Sequence, residues 1–215
     1  PLYIEENKGK VIYSQSRKLT AAFIVEALTG YRLALEKEGG ETSPIKNTAF
    51  SMIRERASTL SPYLAETINS LAAKVTEDSE VVNLPFLFNQ SLRVPLDSIL
   101  IQELSVANIY GWIAYKIYDD ILDNEGDLLL ITSANICARN LIRTYGELPL
   151  FNRIMDRIEE ANAWERMHCY NQDTLPDYAD LGILADKSMG HALGPIAILY
   201  KSGYATDSDE ILHLT

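Results

Sequence analysis

The apolar and polar positions of this chain recur with a helical period almost throughout. A first helix is expected over residues 16–38, stopping at Gly39-Gly40. A second covers 45–58. A third opens at Ser61-Pro62, with Ser61 as N-cap and Pro62 at the first helical position, and runs to about residue 75. A long apolar helix opens at Pro95 or Asp97 and continues unbroken to Asp123. Further helices are expected over 133–145, from Pro149 to about residue 170, and from Pro176-Asp177 to about residue 193. Gly194-Pro195 is expected to interrupt the last of these, with 196–201 continuing before Gly203. Strand-like alternation is weak and confined to 3–13 and the neighbourhood of 81–88. Residues 76–93, which include Pro85, are the least regular stretch. The pattern contains no internal repeat, low-complexity tract or long linker. The reading is one all-α domain over 1–215, built from roughly eight or more helices.

Composition narrows the function. Hydrophobic residues make up 47% of the chain and charged residues 23%, an ordinary globular balance. The formal net charge of −11 argues against nucleic acid as a partner, because phosphate-backbone binding needs a basic face. An acidic protein can still take diphosphates when metal ions bridge them. Cys137 and Cys169 form neither a CxxC nor a zinc spacing and read as reduced thiols of a cytoplasmic protein. The apolar run 19–35 is interrupted by Glu26 and Arg32, so it reads as an amphipathic or buried helix rather than a transmembrane segment. The start at Pro1 and the helix-like ending at 210–215 give the expectation of an excerpt from a longer protein, lacking its C-terminal helices.

Two segments carry candidate chemistry. The first is Asp119-Asp120-Ile121-Leu122-Asp123, which closes the apolar run 109–118. On a helix, Asp119 and Asp123 share a face about 6 Å apart along the axis. Asn124-Glu125-Gly126 reads as the helix end, with Gly126 near the C-cap. Three carboxylates against the negative end of the helix dipole repel one another, and a divalent cation relieves that cost. Carboxylate oxygens suit Mg²⁺, which shares its remaining positions with substrate phosphates. The same residues also suit a solvated acidic helix end, with Lys116 one turn back pairing to Asp119 or Asp120. The second segment is 185–193. On an α-helix Lys187 and His191 share a face, and Gly190 and Gly194 recur every four residues, so another helix or a ligand can come close. Lys187 can supply a point charge to a phosphate, or it can be a solvated lysine beside glycines that serve only packing.

Together the two segments resemble the class I isoprenoid synthase superfamily, in its trans-polyprenyl diphosphate synthase branch. Glu103-Leu104-Ser105 followed by Ile117-Tyr118-Asp119-Asp120-Ile121-Leu122-Asp123 is similar to the family's D-D-x-x-D helix. Lys187-Ser188-Met189-Gly190 is similar to its later Lys-Thr-Gly helix, with Ser in place of Thr. The resemblance covers residues 99–203, about half the chain. It implies a helical bundle around a central apolar cavity and a Mg²⁺-dependent prenyl transferase acting on allylic prenyl diphosphates. In that scheme Asp119, Asp120 and Asp123 are the metal-binding and catalytic residues, and Lys187 contacts the diphosphate. Apolar walls exclude water from an allylic carbocation, with Trp112, Tyr115 and Tyr118 near it or simply packed in the core. The resemblance further implies a homodimer, and bulk at Tyr115 and Tyr118 implies a short product.

The chain departs from the family in three places. No Arg-Arg pair follows the first motif, so Arg139 and Arg143, which share a helical face, are the expected stand-ins for diphosphate contact. Leu92-Arg93-Val94-Pro95 is only faintly similar to the segment that binds a second diphosphate, and no second Asp-rich motif follows Lys187. Two alternatives therefore stand beside the enzyme. One is a non-catalytic protein of the same fold that binds a prenyl lipid or an active partner subunit. The other is an unrelated helical interaction domain with an acidic helix cap.

Overall fold

The structure, a computed structural model, describes residues 44–78, 80–92, 94–168 and 178–203. The expected helix over 16–38 and the strand-like stretch at 3–13 lie outside them, as do Arg93, Cys169 and Pro176-Asp177. Among the described residues the regular structure is entirely helical: α1 (Pro44–Ala57), α2 (Pro62–Asp78), α3 (Leu84–Gln90), α4 (Ser98–Leu122), α5 (Ile131–Tyr145), α6 (Phe151–His168), α7 (Tyr178–Asp186) and α8 (Leu193–Lys201). Short 3₁₀ turns occupy Glu80–Val82, Leu128–Leu130 and Lys187–Ala192. No helix among the described residues is long and apolar enough to cross a membrane.

α4 organises the rest because it is apolar on every side. Ile101, Leu104, Val106, Ile109, Tyr110, Ile113 and Ile117 are all buried, and a helix apolar all round belongs in a core. On one side α1, α2 and the first half of α5 close over it through Ile53, Ile68, Val75, Ala134 and Cys137. On the other, α6, α8 and the end of α5 pack through Leu141, Tyr145, Ile154, Ile158 and Leu193. Gly111 lets α4 and α5 approach closely: a Cβ there would lie 3.0 Å from Leu141 Cδ1. A buried polar knot ties the two sides. The Tyr145 hydroxyl lies 2.7 Å from Asn108 Oδ1 and 3.0 Å from the Leu104 carbonyl, while Asn108 Nδ2 donates to the Val81 carbonyl. Buried polar groups are stable only when satisfied in this way.

Three local expectations are corrected. The neighbourhood of 81–88 is helical, not extended. Pro85, Leu87 and Asn89 are buried in alternation, which imitates a strand, but Pro85 cannot donate to a ladder and suits a first helical turn. Gly194-Pro195 does not interrupt a helix either. It lies in the first turn of α8, where a missing N–H costs nothing; the interruption is the 3₁₀ turn Lys187–Ala192 just before it. Finally, the left-handed residue that ends α4 is Asn124, with φ 59°. The Glu125 and Gly126 amides both donate to the Asp120 carbonyl and the Asn124 amide to Ile121, the pattern of a Schellman cap. Gly126 is required for a different reason: a Cβ on it would lie 2.7 Å from the Ile121 nitrogen.

Candidate functional site

The last two turns of α4 face α6 and the Lys187–Ala192 turn across a cavity of about 810 Å³. α4 contributes Trp112, Tyr115, Tyr118 and Asp119, together with Gly111, Ile121 and Leu122. α5 contributes Ile131, Asn135 and Leu141, and α6 contributes Met155, Ile158, Glu159 and Asn162. Lys187, Ser188 and His191 come from the turn. Most of this wall is apolar or aromatic, and the charged groups gather at the end of α4. Such a balance, greasy walls with a few polar groups, is that of a small-molecule site.

Lys187 is the centre of the charged end. Its Nζ donates to Asp119 Oδ1 at 3.0 Å and also to Glu165 Oε2. Desolvation pulls the ammonium toward neutrality, yet the hydrogen bonds to Glu165 and Asp119 outweigh it and hold the pKa above the usual lysine value. The two motifs are therefore joined through a contact 68 positions apart in sequence. Glu165 escapes a sequence reading, because a glutamate on a polar helix such as α6 carries no local sign of a distant partner.

The other expected residues are placed as follows. Asp120 pairs with Lys116 one turn back, and that hydrogen bond raises the Lys116 pKa. Asp123 is the exposed C-cap of α4. Neither belongs to the cavity wall given above. Tyr115 donates to Glu159 at 3.1 Å and Tyr118 to Asn135 at 2.7 Å, and the two rings meet edge to face. Burial raises both phenol pKa values, so both remain neutral donors. His191 lies on the cavity rim, and desolvation by the surrounding protein lowers its pKa. Its relation to Lys187 is not the α-helical one expected, since a 3₁₀ turn advances about 120° per residue and aligns positions three apart. Gly190 and Gly194 likewise serve different neighbours: Gly190 abuts Ile158, whereas Gly194 abuts Pro85 and Asn108.

Arg139 and Arg143 do not join this cavity. They line a second one, of about 600 Å³, with Arg56, Glu103 and Tyr110. The reason is helical phase. At about 100° per residue, Ile136, Asn140 and Arg143 fall on the side of α5 away from Ile131 and Leu141, while Arg139, one turn from Asn135, lies at the edge between the two.

Mg²⁺ is bound through one or two protein carboxylates, with phosphates and water completing its shell. Asp119 and Glu165 fit that donor set, because both already converge on one cation, the Lys187 ammonium. Among the described residues no group of three His, Cys, Asp or Glu side chains is arranged as a metal cluster. Comparison of the chain with family models, curated proteins and solved structures finds no match.

Proposed function

We propose that the cavity between α4 and the Lys187 turn takes an allylic prenyl diphosphate, and that the protein is a Mg²⁺-dependent prenyl transferase of the isoprenoid synthase type. One observation carries the reading: Asp119 and Lys187, the acidic and basic elements of two separate motifs, meet at the charged end of one largely apolar cavity. The apolar walls suit a prenyl chain, and Asp119 with Glu165, both bonded to Lys187, marks the charged end where the diphosphate would lie. Bound Mg²⁺ would offset the charge that develops on the diphosphate as the allylic carbon–oxygen bond breaks. Lys187 would leave its two carboxylates to contact the diphosphate. Trp112, Tyr115 and Tyr118 present aromatic surface where an allylic cation would form, and the neutral phenols of Tyr115 and Tyr118 are tied down by Glu159 and Asn135.

The test is diphosphate release from geranyl, farnesyl or geranylgeranyl diphosphate with Mg²⁺, with and without isopentenyl diphosphate. Release that is metal-dependent and lost in D119A/D123A supports the reading, and a requirement for isopentenyl diphosphate marks chain elongation. No release from any of the three by a folded protein sinks it. A second reading, a non-catalytic prenyl-lipid binder, is favoured by one specific feature: Lys187 is already neutralised by Asp119 and Glu165, which leaves the ground state without a free cation for a diphosphate.

A further inference from the structure

The second cavity has its own chemistry. Three arginines line it against a single glutamate, a surplus of two positive charges on a wall of a protein whose net charge is −11. Arg56 is held by Glu103, its Nη2 lying 2.6 Å from both carboxylate oxygens. Arg139 and Arg143 form no ion pair among the described residues, although they sit one turn apart on α5. Like charges at that spacing destabilise a helix, so an anion between them relieves a standing cost. The hydroxyls nearby are already engaged, since Thr59 donates to the Arg56 carbonyl and Thr144 to that of Asn140. The guanidinium groups of Arg139 and Arg143, with the Tyr110 hydroxyl, are therefore the donors left for a ligand. Behind them the wall is apolar, formed by Leu60, Ile68, Ile136 and the Tyr110 ring.

We infer that this cavity is a binding site for a phosphate monoester carrying a compact apolar body. Two guanidinium forks match the charge and the oxygens of a phosphate dianion, and the floor behind them takes an apolar group of limited size. The site is distinct from the Asp119–Lys187 cavity: α5 stands between them, and no residue lines both. It does not depend on the prenyl transferase reading, and its test involves no turnover.

The test is calorimetric titration of the full chain with phenyl phosphate, inorganic phosphate and phenol, in the wild type, R139Q/R143Q and D119N. Both arginines are exposed, and circular dichroism checks that the double variant keeps its helix content. The expected result is binding of phenyl phosphate to wild type and D119N alike, weakened at least about tenfold in R139Q/R143Q, since the charge-assisted hydrogen bonds to the phosphate are lost. Phenyl phosphate should bind more tightly than inorganic phosphate, and phenol should not bind measurably. Binding that is absent, or that survives in R139Q/R143Q and is lost in D119N, overturns the assignment. Equal affinity for phenyl phosphate and inorganic phosphate overturns the apolar part of it.

Discussion

Replacing Lys187 by Met removes the ammonium while keeping most of the stem's packing. Two losses add: the attraction to Asp119 and the attraction to Glu165, carboxylates that flank one nitrogen in the native fold. The groups are partly exposed, with side-chain accessibilities of 26% for Lys187, 42% for Asp119 and 38% for Glu165, so solvent screening keeps each effect small. Each lost attraction is worth about 1 kcal/mol. The repulsion of the two carboxylates, roughly 5 Å apart and worth about 1 kcal/mol at such exposure, is present in both proteins and is no longer offset in K187M. K187M should therefore be destabilised by about 2 kcal/mol, a fall in Tm of roughly 4–8 °C for a chain of this length.

The decisive quantity is a change of sign. In the wild type, D119N removes an ion pair and should destabilise by about 0.5–1 kcal/mol. In the K187M background the same substitution removes a repulsion and should stabilise by about 1 kcal/mol. Urea denaturation followed by circular dichroism measures all four proteins, and added salt should shrink both effects. If D119N costs the same in both backgrounds, the Asp119–Lys187–Glu165 cluster does not hold the cavity mouth in solution, and the reasoning fails.

Other outcomes follow from the packing. Y145F should cost about 1–3 kcal/mol by chemical denaturation, because it strips a donor from the buried Asn108–Leu104 knot. N124G should stay within a few tenths of a kcal/mol of the wild type, whereas N124V should cost at least about 1 kcal/mol, because Asn124 sits at φ 59°. Alkaline stability should fall as pH rises from 9 towards 12: burial pushes the Cys137 thiol from 9.0 to about 12, and burial above all pushes the Tyr110 phenol from 10.0 to about 12. The unfolded chain ionises first, so stability is level below pH 9 and is then lost by about 1.4 kcal/mol per unit per group. C137A should flatten the early part of that fall in a pH series of urea melts.

The course of α4 was legible because a long, predominantly apolar run needs no distant information. Asp97 before it and Asp123 after it are its observed caps, and the start of α2 at Ser61-Pro62 followed equally from local signals. Long-range facts were not legible. Nothing in Lys187-Ser188-Met189-Gly190-His191-Ala192 separates a 3₁₀ turn from α-helix, since its conformation depends on burial of Met189 and on the grip of Asp119 and Glu165 on Lys187. Arg139 and Arg143 follow the acidic motif closely in sequence, which invited grouping them with it. The phase of α5 turns Arg143 away and leaves Arg139 at the edge, lining the other cavity, and phase relative to a neighbour is a tertiary property that spacing alone does not contain.

The charge at the cavity mouth gives the sharpest separation between the two readings of the site. A prenyl diphosphate would bring two phosphate groups beside Asp119 and Glu165, with Lys187 as the cation they share. Lys116, the other lysine of the wall, is already paired with Asp120, so the site is anionic before the ligand arrives, and the ligand makes it more so. Diphosphate binding should therefore require Mg²⁺ in the binding step itself, ahead of any chemistry. The corresponding prenyl alcohol brings no charge, and its chain should enter the apolar part of the cavity with or without metal. Equilibrium titration of farnesyl diphosphate and farnesol, each with Mg²⁺ and with chelator, reads this directly. Diphosphate affinity that rises at least about tenfold with Mg²⁺, beside an alcohol indifferent to it, fits the transferase. Equal and metal-independent binding of both would mean that the Lys187 cluster is a closed ion pair at the rim of a lipid pocket, and the non-catalytic reading would replace the enzyme.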